Sequence, residues 1–364
     1  MFFATLSFFY YFYFASVGIY VIFLPKVLHE LSYSPFEIGI IFALAPLMRF
    51  LTPFFFIKKL ELTANVFNIS LISSAMCALM FYFTIHNFYY FLAINAFIGI
   101  SLSLILPYIE SLAIAKLGKE KYGKARLFGS IGFMIIAITL GNFLNSAYTA
   151  LHFYLLTTIL TAIFGIILAK KEIKEQTKQS DKPFSFSNYW FFWISLFLMQ
   201  MSFGGFYNFY TIYSTENGIS LEMTSYLWAF GVLCEIAMLY FQAPILKNNL
   251  ITIIKFSILI TVFRWLLVFA VPKSIEIAFF AQSLHAFSFG LYYSAVIVYL
   301  YSIYENKKLA GQFMFGFAYG LGGFAGAVCA GYLYGENLFL YSAIIAFFAF
   351  LAQHIQEKNS KLEN

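Results

Sequence analysis

From residue 3 to residue 355 the chain is one apolar run after another, each about long enough to cross a bilayer and each parted from the next by a few polar residues. A hydrocarbon core of about 30 Å takes about 20 residues of α-helix to span. Twelve such runs can be drawn, over residues 3–25, 35–56, 64–85, 88–112, 126–146, 150–169, 188–213, 222–243, 251–271, 275–302, 309–333 and 336–355. Lipid offers no partner to backbone N–H and C=O groups, so only helices and closed barrels cross it. These runs are too long and too evenly apolar for the alternating strands of a barrel. The fold class expected is an all-α membrane protein of 12 transmembrane helices.

Composition agrees. Charged residues are 10% of the 364, and hydrophobic ones 62%. A soluble domain carries about 25% charged residues, so lipid must be the outer solvent here. No polar stretch is long enough for a separate soluble domain. Cys77, Cys234 and Cys329 lie in apolar runs and form neither a disulfide framework nor a zinc spacing. Met1-Phe2-Phe3-Ala4 lacks a basic region and a cleavage site, so it opens the first span and not a removable signal.

Charge sets the orientation. The even-numbered connections carry Lys58, Lys59, the basic residues from Lys116 to Arg126, those from Lys170 to Lys182, and Lys247, Lys255, Lys307 and Lys308. Odd-numbered connections have only Lys26 and Lys273. Basic loops stay in the cytoplasm, so both termini are expected there, in an inner (plasma) membrane. The net charge of +6 is therefore a topology signal, and no nucleic-acid partner is implied.

The one sizeable linker, 170–187, is polar and divides the chain into an N-terminal six-helix bundle, 1–169, and a C-terminal one, 188–364. The halves echo each other. At an offset of 186, Gly18 matches Gly204, Ser34 matches Ser220, and Arg49 falls opposite Glu235. Ser34-Pro35-Phe36-Glu37 reads as an N-cap, a first-turn Pro and a capping-box Glu. At offset 190, Gly132 and Gly141 pair with Gly322 and Gly331. Both halves start on the same side, which makes a parallel repeat, one known plan for carriers with a midplane site.

Charge inside the bilayer is costly and calls for a cavity or a partner. Glu235, Arg264 and His285 come from three consecutive spans and fall at mid-depth by the rise of about 1.5 Å per residue. An acid, a fixed cation and a titratable base can handle a proton. Arg264 would hold Glu235 ionised or release it, and His285 would relay. The bland reading is a fixed ion pair that orders the helices, with a satisfied core histidine beside it. Arg49 reads as a structural charge locking span 2 against its neighbours. Glu110 and Arg126 lie near cytoplasmic ends, where depth alone makes them solvated. Gly316-x-x-x-Gly320 and Gly322-x-x-x-Gly326 let backbones pack closely or slide. No His-Glu-x-x-His run or paired metal ligands occur in any span, so no metal site or enzyme is expected.

Several segments resemble a known family. Tyr122-Gly123-Lys124-Ala125-Arg126-Leu127-Phe128-Gly129-Ser130-Ile131-Gly132-Phe133 resembles the span-5 signature of major facilitator proteins of the phenylpropionate permease-like group, related to lactose permease and the nucleoside/proton symporters. Leu227 to Ile236, Phe263-Arg264-Trp265, Leu284 to Gly290, and Gln312 with Tyr319 to Gly323 resemble its spans 8 to 11, in order. The resemblance implies the major facilitator fold, 12 helices in two six-helix bundles. It also implies proton-coupled uptake of a small solute, with no cofactor beyond the proton gradient, by a monomer in the bilayer.

By the same resemblance, Glu110, three residues after Pro107, and Arg126 become binding residues. Phe133, on Arg126's helical face, stands where lactose permease stacks a Trp on sugar. Glu110, Arg126, Phe133 and Glu235 are then the substrate-binding set, and Glu235, Arg264 and His285 the coupling set. The chain departs at Ser288, where lactose permease has an acid, and at Lys58-Lys59-Leu60-Glu61, a reduced form of the usual loop after span 2. An aromatic acid, a sugar and a nucleoside all stay open as solutes. An exporter of the same fold, or a membrane sensor, is the alternative.

Overall fold

A computed structural model describes residues 1–57, 62–170 and 186–362. Most of the linker over 170–187 and the segment Lys58-Lys59-Leu60-Glu61 lie outside the described residues. The chain is helical nearly throughout. The helices are α1 (Phe2–Glu30), α2 (Pro35–Ile57), α3 (Ala64–Thr84), α4 (Phe88–Gly118), α5 (Lys121–Phe143), α6 (Ala147–Ala169), α7 (Trp190–Ser202 with Gly204–Glu216), α8 (Leu221–Phe241), α9 (Leu250–Ala270), α10 (Ile275–Ile303), α11 (Leu309–Tyr332) and α12 (Leu338–Leu362). Among the described residues eleven of these are long and apolar enough to cross a membrane without interruption. The twelfth, α7, breaks at Phe203 into two pieces of 13 residues.

Capping residues start the helices where the sequence places them. Ser34 and Glu37 form a reciprocal box: Ser34 N–H donates to Glu37 Oε2 at 2.8 Å, and Glu37 N–H to Ser34 Oγ at 3.3 Å. Thr63, Asn87, Ser146, Ser220, Asn249, Ser274 and Asn306 each accept a backbone N–H three residues on. Such caps satisfy donors that a helix end leaves unpaired. Large apolar side chains that find no protein neighbour, among them Ile69, Phe83 and Phe97, are more than half exposed. In water this would be costly; in a bilayer it is the lipid-facing surface.

The repeat expected from the sequence recurs in three dimensions. α1 ends with Ser32 at φ 68° and α7 with Gly218 at φ 90°, 186 residues apart. Tyr33 N–H donates to Leu28 O at 3.1 Å, and Ile219 N–H to Ser214 O at 3.0 Å, again at that offset. Both are αL helix stops that reuse the last carbonyls. Just before them both helices are irregular: α1 widens into a π-helical turn over Ile19–Phe23, and α7 breaks beside Gly204.

The close backbone contacts repeat as well. A Cβ on Gly132 would collide with the Tyr11 carbonyl, and one on Gly322 would meet the Phe197 carbonyl at 2.7 Å. Gly141 lies against Ser225, and Gly331 against Gly39 with its Cα 2.9 Å from such a Cβ.

Those last two contacts join the first six helices to the last six, α5 to α8 and α2 to α11. They lie toward the face away from the termini. His29 Nε2 of α1 also reaches Glu216 Oε1 of α7 at 3.4 Å there, and Tyr334 O–H donates to Glu216 Oε2 at 2.5 Å. Asn142 Nδ2 donates to Tyr226 O–H at 3.5 Å. Nearer the termini the crossing of α2 and α11 relaxes. A Cβ on Gly320 would meet Phe50 at 2.9 Å, but one on Gly316 only at 4.0 Å. Arg49 is exposed on this side. The helices thus close over the face away from the termini, and the α2–α11 crossing loosens toward the terminal face.

Candidate functional site

Two charged clusters stand out, one in each half of the chain. The first is made by a sharp corner. Gly118 takes φ 70°, which turns the chain between α4 and α5. Residues at equal distances before and after such a corner come face to face, and Glu110 and Arg126 are each eight residues from Gly118. Arg126 Nε donates to Glu110 Oε1 at 3.3 Å, and both side chains keep about a third of their surface open.

The Arg126 guanidinium lies 4.1 Å from the centre of the Phe14 ring and 5.6 Å from that of Tyr10. A planar cation on an aromatic face is held in orientation. Tyr122 edges onto Tyr10 at 6.4 Å. From the other half, Tyr293 of α10 stands within electrostatic reach of Glu110 and Arg126.

The second cluster lies inside α7 to α10. Arg264 has no exposed surface. Its Nη2 donates to Gln282 Oε1 at 2.9 Å, and its Nη1 meets His285 Nδ1 at 2.9 Å and Ser288 Oγ at 3.2 Å. Its carbon sits 4.4 Å from the Phe206 ring and 4.5 Å from that of Trp265. His285 Nε2 faces Glu235 Oε2 of α8 at 3.6 Å. Local irregularity makes room for this. α10 widens into a π-helical turn over Ala286–Leu291, directly after His285, and α7 breaks at Phe203. Wide turns of this kind interrupt the regular ladder and gather at working sites.

Aromatic rings connect the two clusters. Phe133 of α5 stands 6.3 Å from Trp228 of α8, in the other half of the chain. Trp228 is 4.4 Å from Phe206, which lies 5.8 Å from the His285 ring. On the other side His285 stacks on Phe289 at 5.2 Å and 5°, and Phe289 on Tyr293 at 6.4 Å and 16°. These ring contacts run between a cation with a carboxylate in the first half and a carboxylate beside a histidine in the second.

The structure corrects two expected contacts. Arg264 does not pair with Glu235: His285 stands between them, and the guanidinium spends its donors on neutral acceptors. Arg49 is exposed, and among the described residues no carboxylate forms an ion pair with it. It therefore does not lock α2 against a neighbour; depth along a helix says nothing of which way a side chain turns. Glu110 with Arg126, and Glu235 with His285, do come together. Gln282, Trp228, Phe14 and Tyr293 were not singled out from the sequence. Gln282 carried a signal, as a polar residue three before His285 in an apolar run.

The model of the MFS_1 like family matches residues 3–353. A probable 3-phenylpropionic acid transporter of Escherichia coli (strain K12) is 23% identical over 359 residues, covering 93% of each chain. The uncharacterized transporter YwbF of Bacillus subtilis (strain 168) is 26% identical over 317 residues, 82% of this chain and 78% of its own. Among solved structures, the nucleoside transporter NupG superposes with a TM-score of 0.81 at 14% identity, covering 99% of both chains. The POT family transporter PepTSo gives 0.72 at 12%, covering 99% of this chain and 97% of its own. At these identities the structural likeness speaks for the fold alone.

Proposed function

Because the chain belongs to the MFS_1 like family, a family of membrane transporters and not of enzymes, we propose that it is a proton-coupled symporter importing a small organic solute with an aromatic or sugar ring. Both termini lie in the cytoplasm of an inner-membrane protein on this reading, so the cleft opens inward. The units 1–169 and 188–364 act as two bodies that rock about the site between them. The protein works as a monomer, with the proton gradient as its only driving partner. One relative is named a probable 3-phenylpropionic acid transporter and one structural neighbour a nucleoside transporter, and a ring with a polar group describes both solutes.

What supports the proposal is one charged pair in each half of the chain, Glu110–Arg126 and Glu235–His285, with aromatic contacts running between the halves. A solute polar group meets Arg126 and Glu110, and its ring lies against Phe133, Phe14 or Tyr293. A proton taken up near Glu235 removes a charge that resists enclosure, so the loaded carrier can reorient.

Arg126→Lys should raise the apparent KM for solute on the order of tenfold, about 1.4 kcal/mol of binding. A lysine keeps the charge but loses the planar stack on Phe14 and the fixed fork of donors. Initial uptake rates against solute concentration read this out, and an unchanged KM would remove Arg126 from the binding set.

The test of coupling is uptake into energised vesicles. Glu235→Gln should abolish acid-driven accumulation while leaving exchange of solute for solute. Accumulation that survives this change refutes the scheme.

A further inference from the structure

We propose that His285 does not carry the transported proton: Arg264 locks its ring as a neutral connector, and Glu235 is the group that takes the proton. The inference deepens the proton-coupled reading and rests on it. Its ground is donor and acceptor chemistry. A guanidinium has N–H donors and no acceptor. At 2.9 Å from Arg264 Nη1, His285 Nδ1 must therefore accept. The ring's single N–H then sits on Nε2, the nitrogen that faces the Glu235 carboxylate at 3.6 Å. A second proton on the imidazole would have to go on Nδ1. It would set an N–H against the N–H of a buried cation and break the bond that orients the ring.

Three features hold this arrangement. Gln282 Oε1 accepts from Arg264 Nη2 and Ser288 Oγ from Nη1, so neutral oxygens hold both ends of the guanidinium fork, while its buried Nε has no hydrogen-bond partner among the described residues. Gly231 of α8 leaves the space in which Gln282 sits: a Cβ there would meet Gln282 Oε1 at 2.9 Å. Ser288 supplies a neutral oxygen, so no second carboxylate competes for the cation.

Access points the same way. The Glu235 side chain is 20% exposed and that of His285 7%, so water reaches the carboxylate first. The charged and titratable groups facing Glu235 are His285 of α10, Arg264 of α9 beyond it, Tyr207 of α7 and Tyr319 of α11. α5 contributes the untitratable Phe133, against Trp228 of α8. The step is a plain proton transfer. A hydronium in the cleft gives its proton to a Glu235 oxygen and leaves water. The cluster passes from no net charge, one cation with one carboxylate, to a single positive charge on Arg264. Release on the other side is the reverse.

Two measurements on the full chain test this. In proteoliposomes His285→Gln keeps an acceptor for Arg264 and a donor for Glu235 but cannot titrate. Its uptake should slow by up to about tenfold, yet its proton-to-solute ratio and the accumulation reached under an acid gradient should persist. Loss of accumulation with exchange retained overturns the assignment. Should that variant fail to fold, nitrogen-15 NMR of the carrier decides. In a background with His29, His86, His152 and His354 replaced by Gln, the remaining ring should stay the neutral Nε2–H tautomer from about pH 8 to about pH 5, the range in which histidine ordinarily charges. An imidazolium signal growing in over the range where acid drives uptake overturns it. An unsubstituted carrier that accumulates nothing under acid would instead end the coupling reading, and the tautomer would still be read by NMR.

Discussion

Arg264→Leu should abolish both accumulation and exchange and make the folded carrier about 3–5 kcal/mol easier to unfold, the usual cost of removing one member of a buried charged set. Leucine orphans three acceptors at once, Gln282 Oε1, His285 Nδ1 and Ser288 Oγ. None of these side chains has water to turn to, since Gln282, His285 and Ser288 are all buried. The rings of Phe206 and Trp265 lose a cation held within 4.5 Å of their centres, and Glu235 loses the positive charge beyond His285. Arg264→Lys should recover little, because a point ammonium cannot bridge three acceptors lying in a fan. Melting in detergent, followed by tryptophan fluorescence, reads the stability, and counterflow reads the transport. A leucine variant that melts and exchanges normally would mean the cluster is ornamental.

The second large effect is expected at Gly331. A Cβ there would stand 2.7 Å from the Pro35 carbonyl oxygen and 2.9 Å from Gly39 Cα, both on the other half of the chain. Gly331→Val cannot fit while the face away from the termini is shut. Overpacking costs about 1–3 kcal/mol. Charged against one of two states, that shifts their ratio by roughly tenfold or more. The variant should therefore fold but rest with that face open, and its uptake should fall about tenfold.

A maleimide applied from that face should label Ser225→Cys, in a background free of Cys77, Cys234 and Cys329, about tenfold faster than without the valine. Equal labelling rates would count against the closure. Gly326→Val is the contrast. It faces Met201 and Gly204 within the second half, so it strains both states alike and should reduce folded yield without biasing the face.

Much of the fold was legible because bilayer thickness, capping and charge act locally along the chain. The repeat was legible too, since Gly18, Ser34 and Gly132 stand where backbone approach and capping leave few substitutes. The break in α7 was not legible: no proline marks Phe203, and only the echo of Gly18 at Gly204 pointed there. For the site, sequence spacing gave depth in the bilayer but not direction around a helix. That is why Glu235 and Arg264 fall at one level, joined through His285, without being partners, and why Arg49 was credited with a contact it lacks. Gln282 was passed over because charge is what stands out in an apolar run, yet with Ser288 it sets the electrostatics of the cluster.

The two crossings related by the repeat, Gly39 on Gly331 and Gly141 on Ser225, have almost no side chain between the backbones. Interlocked side chains act like gear teeth and must disengage before anything turns. Bare backbones pressed together act like a pair of journals, stiff to compression and free to swivel. With one such bearing on either side of the cleft, the halves can pivot without unpacking their cores, and the effort of turning falls on the charges between them.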